Sequence, residues 1–71
     1  MTDYPIVIFW SSEDRAYIAE IPDLQDCVAD GETPEAALRE VLVVKDLWLE
    51  VAREDGRPLP EPNRRLIPAV A

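Results

Sequence analysis

The stretch 33-TPEAALREVLVVKDLWLEVAREDG-56 decides the fold. It reads as one long amphipathic helix. Thr33 is a good N-cap, and Pro34 follows at the first helical position, where its missing N–H costs nothing. Glu35 in the first turn suits the positive end of the helix dipole. Ala36 stands where a capping box needs Glu or Gln, so the cap is a partial one. Neither Gly nor Pro interrupts residues 35–55, and Gly56 followed by Pro58 supplies the stop. At about 100° per residue, Ala37, Leu38, Val41, Leu42, Trp48, Leu49 and Ala52 share one arc. Val44 and Val51 widen it, while Val43 and Leu47 fall on the far side among charges. That is more apolar surface than one small sheet covers, so another subunit is expected to bury part of it. Val43, Leu47 and Val51 are the candidate self-interface. Lys45 lies inside the arc with no acid three or four residues away on the helix. It is expected to snorkel, or to meet an acid of another element or chain.

A chain of 71 residues is one small domain. At this size folding buries only about 60% of the unfolded surface, and stability needs reinforcement. One Cys and no His exclude an internal disulfide and a Cys/His zinc site. A well-packed core or oligomerisation is left. Seven basic against fifteen acidic residues give a net charge of −8. Such a surface repels phosphate backbones, so no direct nucleic-acid binding is expected. Its electrostatic complement is a basic protein, and simple solubility is the plainer explanation. The sequence shows no basic-then-apolar leader and no apolar run of membrane length. A cytoplasmic location, no membrane association and a reduced Cys27 are expected.

In chain order, residues 4–10 read as a strand. Ile6, Val7, Ile8, Phe9 and Trp10 form an unbroken apolar run, as expected for a strand covered on both faces. Residues 11–15 are a polar connection of hairpin length. Residues 16–21 make a second strand, with Tyr17, Ala19 and Ile21 alternating against Glu20, and Pro22 ends it. Residues 23–26 are turn-like. Cys27, Val28 and Ala29 make a short third strand closed by Asp30 and Gly31. Beyond the helix, residues 57–63 contain three prolines and are extended. Residues 64–70 either add a short last strand at Leu66 and Ile67 or fray. The domain spans 1–71, with a core at 4–56 and a proline-rich extension at 57–71. Its class is α+β: a three-stranded antiparallel sheet packed by one long helix, β-β-β-α, with a short fourth strand left open.

A resemblance emerges from this order. The run Tyr17-Ile18-Ala19-Glu20-Ile21-Pro22-Asp23-Leu24, then Cys27-Val28-Ala29-Asp30-Gly31, then Thr33-Pro34-Glu35-Ala36-Ala37-Leu38, is similar to the HicB family of antitoxins. The helix ending Leu47-Trp48-Leu49 and the exit Glu54-Asp55-Gly56-Arg57-Pro58-Leu59-Pro60 also look like that family. The resemblance covers roughly residues 4–62. It implies a β-β-β-α-β core described as a partially degraded RNase H fold. It implies binding and inhibition of HicA, a small basic toxin that cleaves mRNA, and assembly into dimers or tetramers. Many members add a C-terminal DNA-binding module. The 71 residues leave no room for one, so the expectation is a stand-alone HicB-like domain. The family's usual Pro-Gly after the Asp-Leu pair is replaced by Gln25-Asp26, so that turn must be built without the freedom of Gly.

Residue chemistry points away from catalysis. Without His there is no His-based triad and no commonest general base. Cys27 has no neighbouring base in sequence and fits a small core position. Ser11 and Ser12 fit a turn. Glu20, Asp23, Asp26 and Asp30 could ring a divalent metal, as in RNase H-type nucleases, but carboxylates in turns ordinarily stay solvated or cap backbone N–H groups. Trp10 and Trp48 suit the core or a subunit contact, and Tyr4 and Tyr17 suit strands. The expected function is a non-enzymatic antitoxin, without cofactor or metal, that occludes the active site of a HicA-like basic toxin. Its candidate toxin-binding residues are Glu13, Asp14, Glu20, Asp23, Asp26 and Asp30. The alternatives are an orphan self-associating domain of the same fold and a metal-dependent nuclease.

Overall fold

In a computed structural model, which describes residues 4–62, the chain forms β1 (Val7–Ser11), β2 (Ala16–Glu20), β3 (Val28–Gly31) and α1 (Pro34–Glu54). The strands form one antiparallel sheet in the order β1-β2-β3. The fold is α+β, as the patterning predicts.

Two tight reversals build the sheet. After β1, Ser11 Oγ donates to Asp14 Oδ2 at 2.9 Å and accepts from the Asp14 N–H at 3.3 Å. Arg15 then takes φ 53° to re-enter β2. After β2, the Leu24 N–H donates to the Ile21 carbonyl and the Cys27 N–H to the Leu24 carbonyl, at 3.0 and 3.1 Å. The turn that lacks Gly is closed by Asp26 itself, at φ 62°. Asp is one of the few side chains that tolerate the left-handed region.

The ends of α1 match their sequence signals. Thr33 Oγ1 accepts from the Ala36 N–H at 3.0 Å. At the other end Gly56 takes φ 72°, with its N–H on the Arg53 carbonyl and the Arg57 N–H on the Ala52 carbonyl. This paired arrangement satisfies carbonyls that would otherwise lack partners.

Side chains alternate across the sheet. Ile8, Trp10, Tyr17, Ala19, Ala29 and Gly31 share the inner face, where Ile8 pairs with Ala19, Trp10 with Tyr17, Ala19 with Ala29 and Tyr17 with Gly31. The core joins Tyr4, Ala19, Ile21, Leu24 and Cys27 to Ala37 and Val41 of the helix. Val44, Trp48 and Leu49 pack against its margin. Trp48 Nε1–H donates to the Gln25 carbonyl at 2.8 Å, tying α1 to the β2–β3 loop.

The helix lies mainly over β3 and β2, where the floor is small: Ala19, Ala29 and Gly31. The bulkier Ile8 and Trp10 stand to one side. This corrects the expectation for the first strand. Its apolar run is not covered on both faces. It is a sheet edge, with Phe9 44% and Trp10 53% exposed. The fourth strand considered at residues 64–70 lies outside the described residues. Among the described residues, no helix is long and apolar enough to cross a membrane.

A Cβ on Gly31 would lie 2.5 Å from the Ala37 backbone nitrogen and 2.8 Å from the Ala36 carbonyl carbon. Backbone cannot yield as a side-chain tip can. Gly31→Ala is therefore expected to destabilise the fold by about 1–3 kcal/mol, as overpacking does. Urea titration checks this: the midpoint should fall at unchanged slope.

Candidate protein-binding surfaces

Two exposed surfaces combine apolar side chains with acids. The first is the outer face of the sheet, opposite the helix. Across the strands, Val7 pairs with Glu20 and Glu20 with Val28, while Phe9 pairs with Ile18 and Ile18 with Asp30. Opposite residues share a face, so Val7, Phe9, Ile18 and Val28 are interleaved there with Glu20 and Asp30. Val28 is 47% exposed, and Val7 and Phe9 are also exposed. Below this face is a hollow of about 260 Å³ whose lining includes Glu20, Asp26 and Val28.

Of the six candidate toxin-binding acids, the structure thus brings Glu20, Asp26 and Asp30 to one region. Asp23 belongs to the same β2–β3 loop and is half-buried. Glu13 and Asp14 sit in the β1–β2 hairpin turn, at the opposite end of the strands, with Asp14 engaged by Ser11. Among the described residues, no group of three or more His, Cys, Asp or Glu is placed to hold a metal ion. The gathered carboxylates that a nuclease site requires are therefore not among them.

The second surface is on α1. Val43, Leu47 and Val51, the candidate self-interface, are each more than half exposed, Leu47 the most at 57%. Their i, i+4, i+8 spacing puts them in one stripe. Beside them an open groove of about 290 Å³ is lined by Val44, Leu47, Trp48, Val51, Ala52 and Arg57. Glu40, Glu50 and Glu54 are exposed and border this stripe at helical spacing. The sequence reading places Glu50 and Glu54 among the charges around Val43 and Leu47; it misses Glu40, whose position three residues before Val43 was the signal. Leu42, read into the core arc, is instead exposed. The two Trp residues divide: Trp48 closes the core margin, while the exposed Trp10 stacks edge-on against Tyr17 at a ring separation of 5.1 Å.

Sequence comparison finds a relative, the UPF0150 protein ssl0259 of Synechocystis sp. It is 50% identical over 58 residues, spanning 82% of this chain and 78% of that protein. No family model matches the chain, and no solved structure matches it significantly.

The thiol beneath these surfaces is inert by placement. Cys27 is free and buried. Burial pushes its pKa up, and the nearby Lys45 charge pulls it partly back. Among the described residues Lys45 makes no ion pair, and the residue is half-buried. The folded thiol holds its proton more tightly than the unfolded one. Its contribution to stability is therefore complete below the ordinary thiol pKa of about 8.5 and is lost as pH rises through the raised folded value. Native Cys27 should react with a thiol-specific disulfide reagent at least about tenfold more slowly than the urea-unfolded chain at equal pH. The urea midpoint should also fall as pH rises from the ordinary thiol pKa through the raised folded value, and Cys27→Ala should remove this component.

Proposed function

The chain belongs to the UPF0150 family, and from that premise we propose that it is a HicB-like antitoxin. Its partner is a small basic toxin of the HicA type that cleaves mRNA, and the mechanism is occlusion. The acidic surface raises the rate of encounter with the basic partner. Apolar side chains then hold the toxin so that RNA cannot reach its active site. The observation that carries this reading is the outer sheet face, where exposed Val7, Phe9 and Val28 alternate with Glu20 and Asp30 on a chain of net charge −8. Charge for steering and apolar surface for retention lie side by side there. The occlusion needs no cofactor, and its setting is the cytoplasm, where mRNA is translated.

A second reading is an interaction domain of the same fold that self-associates without a toxin. The exposed helix stripe of Val43, Leu47 and Val51 favours it.

The deciding experiment co-purifies this chain with the product of an adjacent reading frame and assays RNA cleavage by that product. A tight complex that silences cleavage is expected. Glu20→Lys combined with Asp30→Lys should slow association at least about tenfold at low salt, with the difference shrinking as salt screens it. No complex and no cleavage would overturn the antitoxin reading in favour of the self-associating domain.

A further inference from the structure

We propose that the exposed side of α1 is a second docking surface, and that its occupant is an amphipathic helix of a basic protein partner. This goes beyond the antitoxin reading and does not rest on it, because that reading seats its partner on the outer face of the sheet, opposite the helix.

Shape selects a helix. Two rows of side chains at i, i+4 spacing run side by side along α1: Val43, Leu47 and Val51 in one, Val44, Trp48 and Ala52 in the other. The open groove of about 290 Å³ follows these rows, with Arg57 also in its wall. Rows of this kind, and the grooves between them, are what a second helix packs into. An extended segment fits worse. The backbone of α1 is bonded internally, so a strand laid across apolar side chains would bury its own N–H and C=O groups without partners. A helix arrives with those groups already bonded. From Val43 to Val51 the stripe is about 12 Å long, so about two to three turns of partner cover it.

Charge selects a basic one. Glu40, Asp46, Glu50 and Glu54 surround the stripe, and all four are exposed. Among the described residues none of these four makes an ion pair. Arg57, the cation of the groove wall, is paired with Asp55 at 3.5 Å. Lys or Arg flanking the apolar residues of a partner helix therefore meets unpaired carboxylates at the rim, which speeds encounter and rejects wrong partners. A second copy of this chain is a wrong partner. Glu40 and Glu54 each stand seven residues from Leu47, so antiparallel copies crossing at Leu47 bring Glu40 against Glu54. Parallel copies bring each acid against itself. The same carboxylates repel an anionic lipid surface or a nucleic-acid backbone.

The surface carries its own reporter. Trp48 lines the groove while its Nε1–H holds the Gln25 carbonyl. A helix seated there changes the surroundings of this indole.

The test uses the full chain with Trp10→Phe, so that Trp48 alone fluoresces. The probe is a synthetic peptide of about 18 residues, with Leu at i, i+4 and i+8 on one face and Lys on both flanks. Saturable one-to-one binding with a shift of Trp48 emission is expected. Leu47→Gln should weaken it at least about tenfold with circular dichroism intact, because Leu47 is exposed. Glu50→Lys combined with Glu54→Lys should weaken it about as much at low salt, and less as salt rises. Glu20→Lys combined with Asp30→Lys should leave it unchanged within about twofold, although the same pair disrupts the antitoxin contact, so the two readings fail separately. A peptide with the same residues scrambled, or with Glu in place of Lys, should not bind. The proposal is overturned by an absence of saturable binding, by equal binding of either control peptide, or by loss with the sheet substitutions instead of the helix ones. It is equally overturned by binding that begins only when residues 63–71 are removed, or by self-association of the chain that Leu47→Gln abolishes.

Discussion

Everything in this molecule hangs on how closely α1 approaches the sheet at Gly31. The first turn of the helix sits where a side chain on that residue would be, against the backbone at Ala36 and Ala37. Such an approach is open only over a floor of small residues, and Ala19, Ala29 and Gly31 provide that floor on β2 and β3. Ala37 and Val41 complete it from above, and both are fully buried. The helix is thereby drawn toward one side of the sheet.

The chemistry of the surface follows from that asymmetry. A single helix shifted toward β3 cannot also shelter Ile8 and Trp10, and nothing among the described residues covers the outer face. The apolar residues left in water therefore form two separate surfaces, the β1 side of the sheet and a stripe on the back of the helix. Their surroundings differ in charge, neutral along β1 and acidic along the helix and at Glu20 and Asp30. In a chain this small such contiguous exposure marks interaction surfaces, because isolated apolar residues are normal whereas grouped ones are not. In the proposed reading, the acid-edged regions are the ones that receive an oppositely charged partner.

The helix was legible almost to the residue because its punctuation is local. Thr33, Pro34 and Gly56 act through bonds to neighbours in sequence. The strands were legible to within a few residues for the same reason. The solvent exposure of β1 was not, since an apolar run reads the same whether a strand is central or at an edge. Edge position depends on strand order, which is a property of the whole sheet. The acidic candidates illustrate the same limit. Glu13 and Asp14 are close to Glu20 in sequence, yet the hairpin sends them to the far end of the strands. Glu20 and Asp30 are ten positions apart in sequence, yet share a face across β2 and β3. Val43 and Leu47 were recognised as misplaced apolar residues from helical angle alone, because that angle needs no tertiary information.

The hydrogen bond from the Tyr4 hydroxyl to the Pro60 carbonyl joins residues 56 apart, the widest such separation among the described residues. The strand pairings join elements adjacent in sequence, β1 with β2 and β2 with β3, and α1 packs chiefly on β3, which immediately precedes it, and also on β2. Neighbour-to-neighbour assembly has a low contact order and needs little loop closure. The Tyr4 tie is different, because it forms only once the helix has stopped and its exit has turned back across the molecule. One hydrogen bond contributes about 0.5–1.5 kcal/mol, too little to hold a chain segment without the burial of the Tyr4 ring beside it. The segment at Tyr4 that leads into β1 is thus fastened only after the helix exit has returned. In the order of folding events, the lead-in at Tyr4 settles after the local β1–β2 hairpin and is released before it.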